Sequence, residues 1–211
     1  MAASDLTKAI ADLEEKEAIR ITKARLDKGD DPNAILADSR AGMETVGKRF
    51  AEGTYFLPEL IYSGEILKGV SELVKPKLKT AVKTKKLGKV IIGTVAGDIH
   101  DIGKDIVVFM LDVNGYDVID LGIDVPIPKF VEAIKESGAT VVGLSGFLTL
   151  AFDAMKETIA AIEKAGLRKK VKIMIGGGQI DEEIKKYTGA DAYGKDAMVA
   201  VTLAKQWLPA K

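Results

Sequence analysis

The sequence predicts an α/β protein in which a four-helix bundle precedes a doubly wound, five-stranded parallel sheet. Three observations predict it. The first 88 residues place apolar side chains at helical spacing throughout. After residue 88, short apolar runs alternate five times with helical stretches, the pattern of β–α units whose strands are buried on both faces. Fourteen of the 21 glycines follow Gly88, many just after those runs, at the edge where open α/β sheets bind ligands.

In the helical half, a short helix is expected over 5–11. Asp12 and Glu15 read as a capping box, Asp12 accepting an orphan N–H and Glu15 reaching back, so a second helix is expected over 13–28, ended by Gly29. Asp31 starts the third as its cap, with Pro32 in the first turn, where its missing N–H costs nothing. Ile35, Leu36, Met43, Val46 and Phe50 fall on one face of it, and Glu52, Gly53 and Thr54 stop it. The fourth, over about 57–78, carries Leu60, Ile61, Ile66, Leu67, Val70, Leu73 and Val74. The stretch 75–89 is rich in lysine and has no acids. It reads as a solvated helix end and linker, or as a docking patch for an acidic partner. Either reading puts a domain boundary near Gly88, giving domains 1–88 and 89–211.

In the second half, strands are expected over 90–95, 117–121, 140–144, 171–175 and 190–193. Helices are expected over 103–113, 128–136, 151–164, 181–187 and 196–207. This is the flavodoxin/Rossmann-like alternation.

Composition narrows the function. Lys+Arg and Asp+Glu both number 31, so nothing points to nucleic acid or to a polybasic membrane contact. No cysteine is present, which excludes disulfides, zinc–thiolate sites, iron–sulfur clusters and thiol catalysis. The first residues lack a secretory pattern and no apolar run approaches membrane-spanning length, so a cytoplasmic location is expected.

The chemistry concentrates in Gly97-Asp98-Ile99-His100-Asp101-Ile102-Gly103-Lys104, the loop after the first strand. His100 is the only histidine. A lone histidine is commonly structural. Here it lies at the ligand-binding edge, Asp98 is placed to accept its ring N–H and turn the other nitrogen outward, and Gly103 lets a bulky group approach the backbone. One histidine without cysteine makes no ordinary metal site, whereas a macrocycle supplying four equatorial nitrogens needs a single axial ligand. Nucleotide loops of the Gly-x-Gly-x-x-Gly and Gly-x-x-x-x-Gly-Lys-Ser/Thr types are absent, and Ser145 stands where a phospho-receiver would carry aspartate. The third and fourth strands end in Ser145-Gly146-Phe147-Leu148-Thr149 and Gly176-Gly177-Gly178. Tight turns would explain these small residues. Beside the histidine loop, a slot for a long cofactor tail explains them better.

At these residues the chain resembles the cobalamin-binding module of methionine synthase and, more closely, the free-standing corrinoid proteins of methylotrophic methyltransferase systems. The resemblance runs through Asp98, His100 and Gly103, the serine element from Leu144 to Thr149, and Gly176-Gly177. In the helical half it includes Met43-Glu44-Thr45-Val46-Gly47 and Tyr55-Phe56-Leu57-Pro58-Glu59-Leu60. It implies a cobalamin bound base-off/His-on, its benzimidazole displaced from cobalt into the slot. His100 would be the axial metal ligand and Asp98 its hydrogen-bond partner, with Asp101, Ile102 and Gly103 at the cofactor in the same motif. Ser145, Gly176 and Gly177 would line the slot, with Leu148, Thr149 and Tyr193 beside them. Phe56 and Leu57 would cover the upper corrin face and shield the cobalt–methyl bond. Where methionine synthase has a serine extending the Asp–His relay, this sequence has Ala151, which leaves Thr149 or a water as the substitute.

The activity implied is that of a methyl carrier without catalytic residues of its own. A substrate-specific methyltransferase loads cob(I)alamin, and a second methyltransferase passes the methyl group to tetrahydrofolate or coenzyme M. A reductive activator rescues cobalt(II). The bundle swings aside during transfer, with the lysine-rich stretch near Gly88 as hinge. The alternative is a cobalamin-dependent sensor acting through a docked partner, although no basic recognition helix for DNA is present. A mutase-type domain would need a catalytic barrel, and a helical cap suits methyl protection better than radical release.

Overall fold

The computed structural model describes residues 3–77 and 86–208. The chain divides into two compact units, Met1–Lys85 and Lys86–Lys211. The expected hinge falls partly on residues 78–85, which lie outside the described residues, while the fourth helix ends at Val74, before the expected 78.

The first unit holds four helices: α1 (Asp5–Ala11), α2 (Glu15–Asp27), α3 (Pro32–Ala51) and α4 (Leu57–Val74), followed by a 3-10 turn, Lys75–Lys77. Ser4 caps α1 by accepting the Thr7 N–H, and Asp31 caps α3 by accepting the Asn33 N–H, as its sequence signature predicts. The capping box expected at Asp12 does not form. Asp12 terminates α1 instead, and its carboxylate pairs with Arg49 of α3 at 2.8 Å. Leu13 then turns through a positive φ of 61°, and α2 starts two residues later than expected, at Glu15, without a side-chain cap. A tertiary ion pair has taken the carboxylate that the local motif would have used.

Leu6, Ile10, Ile35, Met43, Val46, Leu60, Ile66, Val70 and Val74 are buried in this bundle. Its tightest point is Gly42. A Cβ added there would lie 2.8 Å from the Ile10 Cβ and 3.0 Å from the Thr7 carbonyl oxygen. Gly42→Ala gains up to about 1 kcal/mol of helix propensity but overpacks two helices, at a cost of about 1–3 kcal/mol. Because one obstacle is backbone, the overpacking is expected to dominate. Urea unfolding should show a loss of about 1 kcal/mol, and a gain would mean that α1 moves freely.

The second unit alternates β1 (Lys89–Thr94), α5 (Ile102–Val113), β2 (Asp117–Asp120), α6 (Ile127–Ser137), β3 (Val141–Ser145), α7 (Leu150–Lys164), β4 (Lys172–Gly176), α8 (Glu182–Thr188), β5 (Ala192–Gly194) and α9 (Ala197–Trp207). A 3-10 turn, Arg168–Lys170, precedes β4 and was not expected. All pairings are parallel, in the order β2-β1-β3-β4-β5. Five parallel strands in a doubly wound sheet are what the alternation predicts. Five of the six β1 residues are buried, as a central strand covered on both faces requires. On one face Phe130, Ile134, Met155, Ile159 and Ile162 pack over Ile91, Val142, Leu144, Ile173 and Ile175. Elsewhere α5 packs against α9. The strand order reverses direction between β1 and β3. This reversal is the topological switch point, at whose carboxyl edge open sheets of this kind bind ligands.

Candidate corrinoid site

The loop after β1 carries Asp98 and His100 at that edge. Asp98 is fully buried. Its Oδ1 accepts the His100 backbone N–H at 2.9 Å and faces the His100 Nδ1 at 2.7 Å. Its Oδ2 accepts the N–H groups of Phe147 and Leu148, at 2.7 and 3.0 Å, from the loop after β3. Burial would push this carboxyl up. The backbone donors Leu148, His100 and Phe147, together with the His100 ring, outweigh it and lower it to about 2. Asp98 is therefore an ionised carboxylate that can only accept, which places the proton of a neutral His100 on Nδ1 and the lone pair on Nε2. The ring itself is half-exposed, with the Phe147 ring against it at 4.7 Å between centroids and 34° between planes.

The loop after β2 clasps this arrangement. Asp124, at a positive φ of 47°, donates its N–H to the Asp98 carbonyl, and its carboxylate accepts the Gly97 N–H. Lys104, buried in the first turn of α5, reaches Asp120 at the end of β2 at 2.6 Å and Asp105 at 2.5 Å. Burial would lower the Lys104 ammonium, but the two carboxylates raise it overall.

The remaining expected residues fall as follows. Asp101 precedes α5, and Ile102 and Gly103 open it; Ile102 is 70% exposed, and a Cβ added at Gly103 would meet nothing within 4 Å. Ser145 ends β3 in register with Gly176, which ends β4. The Ser145 side chain makes no hydrogen bond among the described residues. Gly177 packs against the Gly146 carbonyl, so it joins two loops backbone to backbone rather than standing open. Tyr193 lies in β5 beside Ile175 and packs against the core. Leu148 is exposed and holds Asp98 through its N–H, while Thr149 precedes α7 with its hydroxyl elsewhere than on Asp98. Among the described residues, the donors on Asp98 Oδ2 are two main-chain amides and no side-chain hydroxyl. Ala151 is buried beneath Gly146. Phe56 and Leu57 belong to the other unit, at the start of α4, and both are exposed.

The B12 binding domain model matches residues 88–202, and a second B12 binding domain model matches residues 2–75. The chain belongs to the B12-binding corrinoid proteins. It is 39% identical over 199 residues to trimethylamine corrinoid protein 2 of Methanosarcina mazei, covering 93% of this chain and 91% of that one. A cobalamin-binding protein from Desulfitobacterium hafniense superposes with a TM-score of 0.83 at 38% identity, over 96% of both chains. The methanol:cobalamin methyltransferase complex MtaBC from Methanosarcina barkeri superposes with a TM-score of 0.78 at 29% identity, over 95% of this chain and 77% of that one.

The residues present fit a corrinoid. Among the described residues no group of three or more His, Cys, Asp or Glu could hold a bare metal ion. An imidazole with its Nδ1 engaged and its Nε2 free suits a metal already chelated by a macrocycle. Sequence reasoning named Ile102 and Leu148 but missed the rest of the apolar apron of this corrinoid protein. Ile99, Ile102, Ile123, Phe147, Leu148 and Leu150 are all exposed, on the loops after β1, β2 and β3 and the first residues of α5 and α7. Apolar residues in turns where polar ones are expected were the available signal. The Asp124 clasp, which joins two loops, and the Lys104–Asp120 pair, which joins α5 to the end of β2, had none.

Proposed function

We propose that this chain is a methyl carrier of a multi-protein methyltransferase system, with a base-off corrinoid bound through His100 Nε2. When bound, the corrinoid supplies a cobalt that takes up a methyl group in its reduced state and releases it to an acceptor. The chain's own residues hold and orient. Asp98 fixes the imidazole tautomer and keeps the ring basic by accepting a hydrogen bond from its Nδ1–H. The exposed isoleucines and leucines offer an apolar seat for the corrin, and Ser145, Gly176 and Gly177 line the route of its tail. Residues 89–211 would form the cofactor domain and 1–88 a cap, with Phe56 and Leu57 over the upper corrin face. No side chain here is assigned as a general acid or base, so the transfers need partners. These are a substrate-specific methyltransferase, a second one using tetrahydrofolate or coenzyme M, and a reductive activator. The relatives named for trimethylamine and methanol systems support the class, and the methyl donor is set by the partner.

The single observation that carries the reading is the buried carboxylate on Nδ1 of the only histidine, at the sheet's switch point. Electron paramagnetic resonance of the cobalt(II) protein tests it. Nitrogen-15 histidine labelling should convert a one-nitrogen superhyperfine triplet into a doublet. His100→Ala should still take up cobalamin but show no label-sensitive splitting. A triplet that persists on labelling would put benzimidazole on cobalt and remove the role given to His100.

A further inference from the structure

We propose that Phe147 is a positioning residue for His100, setting the plane of the imidazole and hence the direction of Nε2. This rests on His100 being the axial ligand. Three contacts fix Phe147. Its N–H donates to Asp98 Oδ2 at 2.7 Å. One part of its ring lies against the imidazole, 4.7 Å between centroids. Another part rests over Gly178, where an added Cβ would fall 2.5 Å from Phe147 Cε2 and 2.9 Å from Cδ2.

His100, Asp98 and Phe147 thus form a closed triangle of contacts. The ring hangs from Cβ and the carboxylate holds it at Nδ1 by one hydrogen bond, which still allows coupled rotation about χ1 and χ2. A second ring against its face selects one plane out of that rotation. The restraint matters because the His100 side chain is half-exposed. A ligand that must leave and rejoin a metal needs to be held in place while unbound, and a half-exposed ring restrained by one hydrogen bond is held only loosely. Gly178 is part of the device: any side chain there would push the Phe147 ring off its seat.

Three variants test this: Phe147→Leu, which keeps apolar bulk but removes the ring; Phe147→Tyr, which keeps the ring; and Gly178→Ala, which displaces it. In the cofactor-free protein, the sole histidine allows its rotamer to be read from three-bond couplings and its ring-proton shifts. Wild type and Phe147→Tyr should show one rotamer and an aromatic ring-current shift. Phe147→Leu and Gly178→Ala should show rotamer averaging. In the cobalt(II) form, the ratio of histidine-coordinated to uncoordinated protein should fall about three- to tenfold in Phe147→Leu, the range a single aromatic contact supports, and be restored in Phe147→Tyr. A single rotamer and undiminished histidine coupling in Phe147→Leu would overturn the proposal while leaving His100 as ligand. Absence of labelled-nitrogen coupling in wild type would overturn both.

Discussion

Asp98→Asn is expected to lower stability by about 3 kcal/mol at pH 7, and by only about 1 kcal/mol near pH 2. The carboxylate accepts four N–H donors while fully buried. An asparagine side chain keeps one oxygen and turns an NH2 group toward one pair of donors, leaving N–H groups facing N–H groups. Each buried donor left without an acceptor costs about 1–3 kcal/mol. The pH dependence follows from linkage. A carboxyl lowered from 3.8 to about 2 stabilises the fold only while ionised. That contribution is fully present above about pH 4 and is lost as the pH falls through 2. Its size is about 2 kcal/mol. Urea unfolding of wild type and variant at pH 7, 4, 3 and 2 measures it. A gap that stays constant over this range would show that these donors do not hold Asp98 ionised. Nitrogen-15 shifts of the His100 ring give a second reading. Wild type should show protonated Nδ1 alone in the neutral ring, and Asp98→Asn a mixture of tautomers.

How much of this was legible in the sequence depends on how local each feature is. The five β–α units were, because apolar periodicity is a property of a few neighbouring residues, and the strand ends differ from expectation by only one or two positions. The Asp98–His100 pair was also legible, since two residues of loop bring the carboxylate to the ring. The other half of the Asp98 environment was not. Phe147 and Leu148 lie 49 and 50 residues away and contribute main-chain N–H groups, which every non-proline residue possesses. Sequence reasoning looked for a side-chain hydroxyl to complete the relay and found Ala151. In the fold, the second oxygen of Asp98 is held by backbone N–H groups instead. The failed capping box at Asp12 has the same origin: Asp12 is a good local cap, but Arg49 lies across the bundle and takes its carboxylate.

The two glycines at the proposed site should separate stability from cofactor uptake. A Cβ at Gly177 would fall 1.8 Å from the Gly146 carbonyl oxygen and 2.9 Å from its carbon, and φ there is 154°, where side chains are disfavoured. No rotamer relieves this, because the obstacle is backbone. Gly177→Ala must separate the loops after β3 and β4, which also meet through the Gly146 N–H on the Gly176 carbonyl. Since Gly146 leads directly into Phe147 and Leu148, the donors that hold Asp98 move with it. A loss of about 3 kcal/mol or more is expected from the clash and the strained backbone together, with loss of cobalamin uptake as a consequence. Gly103→Ala is the contrast. Nothing lies within 4 Å of its missing Cβ, and the position is helical. Stability should hold or rise by up to about 1 kcal/mol, from helix propensity. Cobalamin affinity should nevertheless fall, because the added methyl occupies the edge where the corrin would approach. Urea unfolding of the cofactor-free proteins and spectrophotometric titration with cobalamin separate the two effects. Equal stability losses in both variants would mean that Gly177 is not required by its approach to Gly146. Unchanged affinity in Gly103→Ala would move the corrin away from the start of α5.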